Sequence, residues 1–326
     1  MIWDKEASDG AARIKALRLR SAPPMNATDR RLRRVRQMAW LTLCLLVAVT
    51  SLSAYLRHSA AGLGCAPWPA CFGQGEAAAA GAVVLGGQAL TVARAAHRVT
   101  ATLALLLVLA MLVVSSARRP RLAREAALSL GLLVLALLLA LLGVFTPGSR
   151  LPAVAIGNLL GGFLMLAIAA RLAAPPLQRG LRAGALGVAL LLAQIALGAL
   201  TSAAYAGLAC TDLRECVEQA RAGGWNWAAL NPWREPILSI ATPNPEGALA
   251  QWLHRLGAFV VAPLLACLGV CAWRGGRRVE AAALLFLLAS QVVLGLVVGS
   301  TGLPLVPVLA HNLGTALMLA LVLRLA

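Results

Sequence analysis

Eight apolar stretches fix what this chain can fold into: residues 38–56, 92–115, 125–145, 152–170, 184–204, 249–272, 279–299 and 304–325. Each is close to the ~20 residues that a helix needs to cross a bilayer. Hydrocarbon offers no water to backbone N–H and C=O groups, so such segments fold as helices that satisfy those groups internally. Only 13% of the residues are charged and 60% are hydrophobic, more apolar surface than a soluble domain could cover. The expected fold is an all-α membrane protein with eight transmembrane helices. The first stretch starts after about 37 mostly polar residues, too late for a cleaved signal peptide.

Orientation follows from the arginines. Residues 1–37 contain ten basic residues, and the even-numbered connections add Arg118, Arg119, Arg121 and Arg124, then Arg171, Arg179 and Arg182, then Arg274, Arg277 and Arg278. With Arg324, 21 of the 29 basic residues fall on one side. Cytoplasmic loops hold the excess of Lys and Arg, so both termini are expected in the cytoplasm of a multi-pass inner (plasma) membrane protein. The net charge of +17 then reflects this rule and contact with anionic membrane lipid, not nucleic acid.

The chain also repeats itself. Ala-Gly-Leu-Gly-Cys65 recurs as Ala-Gly-Leu-Ala-Cys210, and each run reaches a second cysteine six positions on, at Cys71 and Cys216. Ala96-His97-Arg98 returns as Leu253-His254-Arg255. Asn158, ahead of Leu164-Met165-Leu166-Ala167, returns as His311, ahead of Leu317-Met318-Leu319-Ala320. This pattern predicts two duplicated four-helix bundles. The divisions are a basic segment 1–37, a first half 38–172, a linker 173–183 and a second half 184–326.

Both cysteine pairs fall in outer loops, where an oxidising compartment suits Cys65–Cys71 and Cys210–Cys216 disulfides. Cys44, Cys267 and Cys271 lie inside spans and read as small apolar packing residues. The outer loops, about 57–91 and 205–248, are too long for turns. Trp225, Trp227 and Trp233 in the second are either part of a structured cap or interfacial anchors.

The four histidines are His58, His97, His254 and His311, all near outer ends of spans. At 1.5 Å per residue, His254 and His311 both lie roughly 8–10 Å below the outer boundary. Two imidazoles at one depth on different helices can grip a haem iron from opposite sides. The alternative is a pair of neutral histidines bonded to backbone, although intramembrane ionisable residues are costly and usually functional. Arg255 either pairs with a haem propionate or snorkels to the surface. In the first half His97 matches His254, but Asn158 stands opposite His311, and an amide is a poor iron ligand. That half could hold a five-coordinate haem on His97, recruit His58, or bind none.

On these residues the chain resembles the heme A synthase family. The match covers about residues 36–326. It rests on Gly62-Leu63-Gly64-Cys65 through Trp68-Pro69-Ala70-Cys71, Ala96-His97-Arg98, Leu253-His254-Arg255 and the eight-span layout. The resemblance implies two four-helix bundles with outer-loop disulfides and a haem b on His254 and His311. It implies haem O as substrate in the first half, near His97 as a catalytic residue, with Arg98 and Arg255 beside the haems. The implied reaction oxidises a methyl of haem O to the formyl of haem A, in company with a haem O-producing farnesyltransferase and an electron acceptor. Two positions depart from the family pattern. Arg94 stands where the family usually has glutamate, and Asn158 stands where it has a second histidine. A carboxylate there could relay protons, which an arginine cannot. The alternative is a bis-histidine membrane cytochrome b, or a haem-handling assembly factor without oxidation chemistry. A transporter is a distant third, because the repeat runs parallel and lacks Gly/Pro-broken helix pairs.

Overall fold

The structure, a computed structural model, describes residues 26–60, 83–146, 149–175, 182–236 and 245–326. The described residues are helical apart from turns and short connections, with no strand among them. The helices are α1 (Ala27–Ala60), α2 (Val83–Ser116), α3 (Ala123–Phe145), α4 (Pro152–Ala173), α5 (Arg182–Ala203), α6 (Leu213–Ala222), α7 (Pro245–Arg274), α8 (Arg278–Ser300) and α9 (Leu305–Leu325). All but α6 are long and apolar enough to span a membrane, eight in total. These eight coincide with the eight apolar stretches.

The first helix departs from expectation at its start. It begins at Ala27, so part of the basic segment assigned to residues 1–37 belongs to α1. The Asn26 side chain accepts from the Asp29 amide at 2.8 Å and caps the helix start. The arginines that follow are good helix formers. Arg31 then reaches across to the end of α2. Its Nη2 donates to the carbonyls of Val114 (2.9 Å) and Ser115 (3.2 Å), and its Nη1 to that of Pro120 (3.0 Å). Helix C-termini leave carbonyls without intrahelical partners, and an arginine there satisfies them.

The same device recurs on this side of the molecule. Arg124 donates to the Arg171 carbonyl at 3.0 Å, and Arg171 donates to that of Leu323 at 3.2 Å. Arg31, Arg124 and Arg171 therefore tie the ends of α2, α4 and α9 to their neighbours.

Packing follows one cyclic order in each half. Helix α1 packs on α2, α2 on α3, α3 on α4, and α4 returns to α1. Likewise α5 packs on α7, α7 on α8, α8 on α9, and α9 returns to α5. Each set forms a ring of four. The rings meet chiefly where α4 packs on α9, with α4 on α5 and α1 on α9 beside it. In the repeated Leu-Met-Leu-Ala runs, Met165, Leu166 and Ala167 on α4 and Met318, Leu319 and Ala320 on α9 are buried in a hydrophobic core that both rings share. Between helices in lipid, close van der Waals contact does the work that water exclusion does elsewhere. The outward faces of α3 and α8 show Leu, Val and Phe, as lipid-facing surfaces do.

On the opposite side, α6 and a 3-10 turn (Trp227–Leu230) build a cap with its own small core. Trp225 meets Trp252 edge-on with ring centroids 5.8 Å apart. Trp225 is thus a cap residue, whereas Trp227 and Trp233 point outward. The cap reaches the other ring through the Ala153 amide, which donates to the Pro232 carbonyl at 2.8 Å.

Candidate functional site

His254 on α7 and His311 on α9 belong to helices that stand across the second ring from one another. Each imidazole lies against a glycine of a neighbouring ring helix. A Cβ at Gly198 on α5 would sit 2.8 Å from His254 Cε1, and one at Gly295 on α8 would sit 3.6 Å from His311 Cε1. The first distance admits no side chain without moving the ring. Both histidines are half-buried.

Their polar surroundings are incomplete in an informative way. Among the described residues, His311 Nδ1 is buried and has no hydrogen-bond partner. His254 Nδ1 lies 3.2 Å from Gln194 Nε2, which donates to the His254 carbonyl at 2.8 Å. A buried imidazole nitrogen without a partner is costly in a protein that does nothing with it. Two imidazoles on helices across the ring from one another, each with a glycine alongside, have the donor chemistry that a haem iron would take. Among the described residues no cluster of three or more His, Cys, Asp or Glu gathers to hold a bare metal ion. The residues fit a haem.

Arg255 follows His254 and points to the outer cap. Its Nη1 donates to the Thr211 carbonyl at 3.0 Å and its Nη2 to that of Cys210 at 3.2 Å. These are the first residues of the loop closed by the Cys210–Cys216 disulfide, whose Cα atoms are 5.0 Å apart. Asp212 caps α6 by accepting from the Glu215 amide, and Glu215 accepts from the Thr211 amide at 2.7 Å and from its hydroxyl. The Thr211 bonds hold the Glu215 carboxyl below its usual value. Arg255 is therefore locked at the outer rim of the ring by loop carbonyls.

The first ring differs. His97 is half-buried on α2, with Arg94 and Arg98 exposed on the same helix. Asn158 is half-buried near the outer end of α4. His58 bonds elsewhere: its Nε2 donates to the Leu303 carbonyl at 2.9 Å, in the turn between α8 and α9. That bond links α1 of the first ring to the second ring. Cys65, Cys71 and residues 61–82 of the first outer loop lie outside the described residues, while the two ends of the stretch 57–91 belong to α1 and α2.

Sequence reasoning passed over Gln194, Gln291 and Thr315, because it screened the spans for ionisable residues. A glutamine inside an apolar helix is itself a polar signal, and that signal was readable.

Residues 36–323 match the COX15-CtaA family of cytochrome oxidase assembly proteins. A heme A synthase from Shewanella oneidensis is 30% identical to this chain over 322 residues, covering 87% of this chain and 94% of the relative.

Proposed function

Because this chain belongs to the COX15-CtaA family of cytochrome oxidase assembly proteins, we propose that it is a membrane oxidoreductase. Its reaction is that of the heme A synthase it is similar to, converting haem O to haem A by oxidising a methyl group to formyl. The observation that carries this reading is the pair of imidazoles on α7 and α9, each seated beside a glycine of the same ring.

His254 and His311 are the residues that would hold a haem b in the second ring. Bound there, the haem supplies a one-electron redox centre. The protein's part is to present two neutral imidazoles at fixed positions, to exclude water with apolar helix faces, and to place positive charge at the rim. Arg255, fixed by the Cys210 and Thr211 carbonyls, and Arg98 supply guanidinium groups for haem propionates. In the first ring His97 faces the substrate, haem O. A farnesyltransferase supplies that substrate, and an electron acceptor completes the oxidation. The domain division is two helix rings, α1–α4 and α5–α9, as duplicated halves of one chain. Arginines at the ends of α2, α4 and α9, on the side where α1 begins, support cytoplasmic termini in a plasma membrane.

A second reading has a specific observation behind it. The first ring has Arg94 where a proton-handling carboxylate belongs and Asn158 where a second ligand belongs, which favours a bis-histidine cytochrome b or a haem-handling assembly factor. Co-expression with a haem O-producing enzyme, followed by pigment extraction, separates the two. Haem A in the extract supports the oxidase; haem b alone supports the second reading. If Arg94→Glu with Asn158→His creates haem A formation in an inactive parent, the first ring is a degenerate substrate site.

A further inference from the structure

Two glutamines lie inside the membrane-spanning helices next to the two histidines, and neither has been given a role. Three buried polar atoms without a hydrogen-bond partner among the described residues belong to this one group: Gln194 Oε1, Gln291 Nε2 and His311 Nδ1. The arrangement is the same on both sides. Gly257 lies three residues after His254 and Gly314 three residues after His311. A Cβ at Gly257 would collide with Gln194 Oε1, and one at Gly314 with Gln291 Nε2. Each amide is thus inserted against the turn of helix that bears a histidine, through a gap that only glycine leaves.

We propose that Gln194 and Gln291 are positioning residues for the two haem ligands, Gln194 acting on the His254 ring and Gln291 on the helix turn that presents His311. The proposal rests on the bis-histidine haem reading above. A histidine that ligates iron through Nε2 keeps its proton on Nδ1, and that proton needs an acceptor. Gln194 Nε2 now lies 3.2 Å from His254 Nδ1 while it donates to the His254 carbonyl. Its own oxygen is buried and unused. A half-turn about the last side-chain torsion, with the amide swung off the His254 carbonyl that it now bonds, turns this oxygen toward the Nδ1 proton.

Gln291 acts one step further away. Its Oε1 accepts from the Thr315 hydroxyl at 2.8 Å, and that hydroxyl also lies 2.8 Å from the His311 carbonyl. Thr315 therefore couples the amide to the backbone of the ligand itself.

Packing alone does not require these amides. In the first ring Gly161, three residues after Asn158, takes Leu139 in the same manner, and Thr100 stands three residues after His97. A leucine fills that gap where no second histidine needs support.

The test uses full-length protein purified from a haem-replete host. Haem content and the midpoint potential of the bound haem are measured for wild type, Gln194→Leu and Gln194→Glu. An acceptor on Nδ1–H makes imidazole a stronger donor and favours ferric iron. Gln194→Leu is expected to raise the potential and weaken haem retention by on the order of 10–100-fold, and Gln194→Glu to retain haem and lower the potential. In the matching pair, Gln291→Glu can still accept from Thr315 and keeps haem, whereas Gln291→Leu loses it. Full haem with unchanged potentials in both Gln194 variants overturns the proposal and leaves the haem site standing. Equal loss of haem in the Leu and Glu variants also overturns it, because the amide would then act by shape alone. A colourless wild type removes the haem reading and this proposal together.

Discussion

At Gly198 the approach of α5 to the His254 ring leaves no space for a methyl group, whereas Gly295 leaves ordinary contact distance beside His311. Gly198→Ala is therefore expected to displace the imidazole and lower the haem-to-protein ratio by on the order of tenfold, within the range typical of disturbed ligand support. Gly295→Ala is expected to leave that ratio near wild type. Pyridine haemochrome assay of the two purified variants checks the contrast, and equal ratios would contradict the placement of His254. At this scale the sequence was legible for the histidines, because ionisable side chains in apolar spans stand out. It was not legible for Gln194 or Gln291. Which residue an amide meets depends on how two helices are rotated about their axes, and apolar runs with period near 3.6 set that rotation only loosely.

Among the elements, the loop from Cys210 to Cys216 with α6 depends on three ties: the disulfide, the Arg255 guanidinium and the Glu215 carboxylate. Cys210→Ser is expected to cost about 2 kcal/mol, the low end for a ring this short. The thermal midpoint should fall while the haem spectrum stays, since these thiols are not ligands. A lost spectrum would contradict that division of labour. Glu215 adds a pH dependence. Its carboxyl is held below the ordinary value by its bonds to Thr211, so its stabilising effect is present above the usual carboxylate range, near 4.3. It disappears as pH falls through the depressed value. The difference in thermal midpoint between wild type and Glu215→Gln should be constant near neutral pH and vanish in acid. A difference that persists in acid would contradict it. All eight spans were visible in the hydropathy. The start of α1 was not, because Arg31, in a stretch that looks like a solvated tail, is spent on carbonyls at the end of α2.

For the whole molecule, the sequence repeats acquire different physical meanings. Met165, Leu166 and Ala167 and their counterparts Met318, Leu319 and Ala320 are buried in the core that both rings share, while none of His97, Arg98, His254 and Arg255 is fully buried. Similar wording in the sequence thus covers two environments, one inside the packed core and one outside it. Only the contact order of the helices separates them. The positive-inside reading makes a direct prediction: a phosphatase reporter at the outer cap near Gly224 is active, and one at the C-terminus is inactive. The reverse pattern would invert the protein in the membrane. The site itself is tested most directly by the reduced-minus-oxidised spectrum of purified protein. Wild type should show a low-spin haem signal, and both His254→Ala and His311→Ala, still folded, should lose it. A folded variant that keeps the wild-type signal would show that its histidine does not hold the iron.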